Sequence, residues 1–388
     1  MTRIPPVWRL LLAVGLLNAM FFIPTAIAYY GMKGANIADF FLIQGIFKLA
    51  VLVLEIPTGY IADRWRRTTQ MVVGAVVWTV SLGLLFMADS FTGLIVAELV
   101  GAVAVALHSG TVQAYLHELL RADGKLATQP TWQGRLFAVQ MFAETLAGAV
   151  GGLLFAVWLE APVVATIGCG LAGIALMMRL PHVPRDAAER RHTNPWADLG
   201  LVVHHCLRVH DRLPFLLIGP AAVFGLTGAL FWAFLAKLTA LGVSATMLGV
   251  YMALYMGVKT LLALAARRFH TLAFVHVVGV LALILAVGGA LMLSNSPWVV
   301  AVGGIMASGI IHAVGRPLVT TLVNAEVPDH ERATVLSVGS MLTQMFGGGL
   351  LMAAHPLTNL FGLEAVVAVF MGATLLIAGY PLWRLSRV

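Results

Sequence analysis

The sequence predicts an all-α polytopic membrane protein whose twelve transmembrane helices form two pseudo-symmetric six-helix bundles. Three observations carry that expectation. Of 388 residues, 60% are hydrophobic and only 11% charged, against roughly a quarter charged in a soluble domain. The mean hydropathy is +0.93. Twelve apolar runs, each long enough for the roughly 20 residues of a span, use nearly all of that surplus. A soluble globule of this size could not hide so much apolar surface. A soluble enzyme, a disulfide-stapled secreted domain and a nucleic-acid binder are therefore excluded. The net charge of +7 and pI near 9.7 then follow from Lys and Arg gathered on cytoplasmic loops.

The runs lie at 7–30, 40–62, 69–88, 91–117, 135–158 and 160–180, and again at 214–238, 243–265, 271–293, 297–325, 334–356 and 360–383. Arg3 and Arg9, followed by apolar residues from Leu10, imitate a signal peptide. The run continues through Tyr30 without an Ala-x-Ala-like end, so it is expected to be the first span. Charge returns in 181–213, which separates an N-terminal bundle (1–180) from a C-terminal one (214–388). Inside that linker, Asn194-Pro195 reads as a helix start. Trp196, Leu199, Val202, Val203, Cys206 and Leu207 follow at helical spacing, the pattern of an amphipathic helix on the membrane surface. Cys169 and Cys206 imply no disulfide framework.

With both termini inside, all but five of the 24 Lys and Arg fall in cytoplasmic segments. Lys33 and Lys237 fall outside, and Lys48, Lys259 and Arg316 lie within spans. The opposite orientation would reverse the bias. The halves also read as copies. A shift of 204 residues lays Gly59-Tyr-Ile-Ala-Asp63-Arg64 on Ala263-Leu-Ala-Ala-Arg267-Arg268, His108 on His312 and Glu55 on Lys259. Parallel repeats of this kind are a transporter plan, with the substrate path at the repeat interface.

At 55–67 the chain reads Glu-Ile-Pro-Thr-Gly-Tyr-Ile-Ala-Asp-Arg-Trp-Arg-Arg. This resembles the loop between helices 2 and 3 of the major facilitator superfamily, Gly-x-x-x-Asp-Arg-x-Gly-Arg-Arg. Gly59, Asp63, Arg64 and Arg67 match, while Arg66 stands for the second glycine and Thr68 for the last basic residue. The resemblance implies gating by Gly59, Asp63, Arg64 and Arg67, with Lys259 as the repeat partner of Glu55. Gly59 would let two helices approach closely, and Asp63 would sit near a helix N-terminus. Resemblance to drug/proton antiporters is looser. Glu98 stands where those carry an Arg, and Ala147-Gly148-Ala149-Val150-Gly151-Gly152 keeps the final glycine pair without the proline. Arg316-Pro317, Asn324 and the run Val327 to Thr334 look like the matching inner loop of other bacterial members.

Ionisable groups inside spans are costly, and each is a functional candidate. Gln44, Lys48 and Glu55 fall within about 40° on one helix face. Lys48 binds a substrate anion or neutralises a nearby acid. Glu55 pairs with the loop arginines or carries a proton. Glu98 shares a face with Ser109, and Glu144 shares one with Gln140 and the glycines. His312 and Arg316 are one turn apart, with Thr320 one turn on; Arg316 binds a carboxylate or phosphate, or it closes a gate on an acid such as Glu326. The expected coupling set is Glu144, Glu98 and Glu55, and the expected substrate set is Lys48, Gln44, His312, Arg316 and Ser109. The twelve histidines offer no His-x-x-x-His pair within a span, so metal transport is the lesser alternative.

These readings predict a monomeric secondary transporter in a bacterial inner membrane, working by alternating access without a cofactor. It would move a small anionic or zwitterionic organic solute by proton-coupled export of a drug, metabolite or siderophore-like cargo. The alternative within the class is uptake of such a solute. The alternatives outside it are a polytopic membrane enzyme or a sensor, and the short loops hold neither a catalytic constellation nor a signalling domain. Its partners are the solute, protons and the lipid bilayer, with no nucleic acid.

Overall fold

The computed structural model describes residues 4–183, 213–265, 274–327 and 332–386. The linker helix expected at 194–207, the turn Arg267-Arg268 and the loop 328–331 lie outside the described residues, as do the side chains of Asp63, His276, Asn324 and Glu326. All regular structure among the described residues is helical. In chain order the helices are α1 (Pro6–Leu17), α2 (Ala26–Met32), α3 (Ile37–Arg64), α4 (Arg67–Met87), α5 (Phe91–His108), α6 (Thr111–Ala122), α7 (Gln129–Val157) and α8 (Ala161–Met177). After the linker come α9 (Leu213–Ala240), α10 (Ala245–Ala265), α11 (Phe274–Met292), α12 (Pro297–Gly304), α13 (Ile311–Glu326) and α14 (Arg332–Ser386).

Eight runs are long and apolar enough to cross a bilayer, and three shorter apolar helices accompany them. The last run, Val335–Ala373, is two spans, because Gly362 takes φ 82° and breaks α14. That makes twelve among the described residues. The chain is a multi-pass, all-helical membrane protein.

Two expected spans turn out to be broken and a third carries a π turn within a continuous helix. The first breaks between α1 and α2, where Asn18 donates its side-chain amide to the Val14 carbonyl at 2.8 Å. Beside it the Phe21 amide donates to the Thr166 hydroxyl at 3.1 Å. Unwound backbone at membrane depth needs such substitutes, because hydrocarbon supplies none. The fourth breaks at Ser109-Gly110, with Gly110 at φ 68°. Thr58 donates to the freed Ala106 carbonyl at 3.2 Å and Gln70 to Leu107 at 2.9 Å. The tenth holds a π turn, Ile305–Ile310, between α12 and α13. There Ser308 donates to the Thr227 carbonyl at 2.7 Å and meets the Tyr255 hydroxyl at 2.8 Å. Apolar periodicity is blind to both breaks and to the π turn, since the residues around them stay apolar.

Two compact units result: Met1–Gly34 with Ala50–Pro195, and Ala35–Leu49 with Trp196–Val388. Helix α3 is shared, its first part belonging to the second unit and the remainder to the first. Lipid tails are as apolar as the helix surfaces, so packing of small residues holds each unit together. In the first, Gly151 of α7 lies against the Phe21 carbonyl with no room for a Cβ. In the second, a Cβ on Gly225 of α9 would come within 2.7 Å of the Gly347 amide of α14.

Candidate functional site

Second unit first. Along α3, Gln44 is buried and Lys48 half-buried. The Lys48 ammonium donates to the Gln344 side-chain oxygen of α14 at 3.2 Å. Its aliphatic stem runs past glycines: a Cβ on Gly347 would stand 3.4 Å from Lys48 Cδ, and one on Gly228 4.0 Å from Nζ. Those two positions without side chains leave the corridor that the lysine occupies. From α13, His312 packs edge-on against the Phe224 ring at 5.7 Å, and the exposed Arg316 guanidinium lies 5.9 Å from the same ring. Lys259 of α10, Arg316 and Lys48 all act on the His312 ring through space, and Arg316 also acts on Lys48. Three cations from three different helices thus lie within electrostatic reach of His312. Among the described residues no carboxylate lies within ion-pair distance of Lys48 or Arg316. The π turn directly precedes His312, and its anchorage to Thr227 and Tyr255 fixes the start of α13 and so the aim of both residues. Irregular turns of this kind recur at functional sites.

The first unit carries acids instead. Glu55 does not pair with the loop arginines. Its Oε1 accepts from the Ser109 hydroxyl at 3.5 Å, at the α5–α6 break, and its Oε2 is buried without a hydrogen-bond partner. Arg64 lies over the Tyr60 ring at 3.9 Å, and Arg67 pairs with Glu118 of α6 at 3.4 Å. His108, next to the same break, holds the Ala104 carbonyl through Nδ1 at 3.2 Å, while its Nε2 is buried without a partner. Glu98 accepts a short hydrogen bond from the buried Tyr30 hydroxyl. Glu144 is half-buried on α7, one turn before the buried Gly148 and two before the tight Gly151–Phe21 contact. Gly59 is exposed, and a Cβ there would meet nothing within 4 Å, so the close approach expected of it is not made in this conformation.

Lys48, His312, Arg316 and Lys259 come together, and Glu55 joins Ser109. Lys48 and Glu55, seven residues apart on α3, belong to different units. Sequence reasoning missed Gln344, Phe224 and Tyr30, which are polar or aromatic partners contributed by other helices. It also missed the ion pairs Lys33–Glu160 at 3.2 Å, Lys237–Glu364, and His355–Asp39 at 3.5 Å. Among the described residues no three His, Cys, Asp or Glu side chains gather.

The model of the Major Facilitator Superfamily matches residues 8–352. The chain belongs to the major facilitator superfamily. This facilitator is accordingly a transporter of small solutes and not an enzyme. Solved structures share the fold across the whole chain. The nucleoside transporter NupG superposes with a TM-score of 0.78 at 15% identity, covering 98% of this chain and 99% of that one. The human organic anion transporter MFSD10 gives 0.69 at 18%, covering 98% and 100%. The xylose transporter XylE from E. coli, in an inward-open conformation, gives 0.69 at 13%, covering 96% and 94%. A search of curated proteins by sequence finds no match.

Proposed function

We propose that this facilitator exports a small organic anion or zwitterion by alternating access, driven by protons, as a monomer in a bacterial inner membrane with both termini cytoplasmic. The group formed by Lys48, Arg316, Lys259 and His312 carries this reading. Cations are expensive inside a span, and a cluster of like charges is stabilised by an anion that visits it. Arg316 offers a planar fork for a carboxylate or phosphate, and Lys48 a second point charge. Gln44 and Ser109 complete the polar lining within their own units.

Proton coupling falls to the acids Glu55, Glu98 and Glu144. Glu55 is the first choice, because its bare Oε2 sits beside the exposed Ser109 at a break in the helix. Broken helices are where transporters hold ions. The loop holding Gly59, Asp63, Arg64 and Arg67 is the proposed gate, with Lys259 its counterpart beside the anion group.

The deciding experiment is untargeted mass spectrometry of cells and spent medium from a deletion strain and an overexpressing strain, with and without iron limitation. An anionic or zwitterionic compound retained by deletion cells and enriched in the overexpressor's medium is the expected result. The same compound left in the medium by the deletion strain would make the protein an uptake permease. A cationic cargo would overturn the role given to the Lys48–Arg316 group.

A further inference from the structure

Beside Arg316 the second unit holds a cavity of about 260 Å³ between α9, α13 and α14. Its wall is largely apolar, with Leu217, Ala221, Phe224, Val319, Val323 and Leu336 in the lining. Three hydroxyl residues also line it, Thr320, Ser340 and Thr343. Two of these turn their protons back to their own helices, Thr320 to the Arg316 carbonyl at 2.9 Å and Thr343 to Gly339 at 2.8 Å. Arg316 is left as the charged donor of the lining. Its guanidinium and the ring of His312 both address Phe224, so the slot shares Arg316 with the cation group and meets His312 through this phenylalanine. A guanidinium in the lining is costly to turn toward acyl chains, so the Arg316 side of the slot suits a polar or charged group.

We infer that this slot seats the apolar arm of the cargo, which is an amphipathic organic anion with its acidic head on Arg316 and Lys48. The inference rests on the anion reading above and adds to it the shape of the molecule. Charge complementarity fixes the head group, since Arg316 and Lys48 have no acid within ion-pair distance among the described residues. The volume fixes the arm. Pockets for whole drug-sized ligands run to roughly 300–1,000 Å³, so this one takes a single ring or a short chain.

The test uses the full-length protein in nanodiscs, titrated with alkanesulfonates of increasing chain length and with alkyltrimethylammonium ions of the same lengths. The expected result is affinity rising about fourfold per methylene, which corresponds to the roughly 0.8 kcal/mol of a buried methylene, and then levelling off. The rise should vanish in Gly339→Leu, whose side chain would enter the slot, and in Val319→Phe should the first variant fail to fold. Arg316→Gln should weaken every sulfonate by a similar factor. Sulfonates that bind alike at every length, but still depend on Arg316, would overturn the slot and leave the anion reading standing. Ammonium ions binding as tightly as sulfonates would overturn both. A chain-length rise that survives the filled slot, or a phospholipid held there in native mass spectra while no sulfonate binds, would overturn the slot as the seat of cargo.

Discussion

Lys33 pairs with Glu160 in the first unit and Lys237 with Glu364 in the second, and both members of one pair are 204 residues from their counterparts in the other. The same shift relates the two basic turns and sets His108 on His312. In the membrane interior the correspondence stops. Glu55 falls on Lys259, Glu98 on Val302 and Glu144 on Gly348, while Lys48 and Arg316 fall on Met252 and Val112. Even the Tyr30 that serves Glu98 becomes Phe234, stacked on Tyr255 at 5.9 Å. The copies have kept the ion pair at one end and diverged inside: Glu55, Glu98 and Glu144 fall in the first copy, while the second compact unit gathers cations from both, Lys48 from the first copy and Lys259 and Arg316 from the second. On the proposed reading a proton carrier and an anion binder have opposite electrostatic needs, which acids and cations held in different units would meet.

The sharpest way to break this comparison is Glu55→Gln. Flux of cargo driven by a pH gradient in proteoliposomes should be abolished, with counterflow exchange intact. Driven flux at the wild-type rate would move the role to Glu144 or Glu98, tested by the same substitution at each. Next, Arg316→Gln should weaken cargo binding about tenfold to a hundredfold, from the roughly 1.5–3 kcal/mol of a charged hydrogen bond. Driven flux and exchange should fall together. A selective loss of the driven mode would show that the cation group serves coupling, and the division of roles would fail.

A smaller effect is expected at the helix contacts. Gly151→Ala pushes a methyl into the Phe21 carbonyl and should cost about 1–3 kcal/mol, read as a lower unfolding temperature in nanodiscs. An unchanged temperature would mean that the break between α1 and α2 shifts freely. Smallest of all, Glu160→Gln and Glu364→Gln remove matching carboxylates that are 30% and 57% exposed. Each should cost less than about 1 kcal/mol, and the two should cost alike. A large loss at one of them alone would mean that the shared pair has diverged as well.

Much of the fold was legible in the chain because a bilayer imposes length and polarity on each span separately. Twelve runs, the repeat and the motif at Gly59–Arg67 all follow from local composition. The breaks at Phe21 and Ser109-Gly110 and the π turn at Ile305–Ile310 were not legible in this way, because the groups that hold them come from other helices: Thr166, Thr58 and Gln70 bond the freed backbone at the breaks, and the Thr227 carbonyl and Tyr255 hydroxyl hold Ser308 of the π turn. Gly110 behind Ser109 was the one local hint, a Ser-Gly pair that marks a turn.

Candidate residues divide along the same line. Sequence alone singled out Lys48, Lys259, Arg316, His312 and Glu55, since an ionisable group in an apolar run stands out wherever it points. Only the tertiary structure decided their company: Gln344 on Lys48, Phe224 between Arg316 and His312, Ser109 on Glu55. It also decided that Lys48 and Glu55, on one face of one helix, serve different units. Hydropathy is a property of each residue, whereas a site is a convergence of side chains that the chain order does not record.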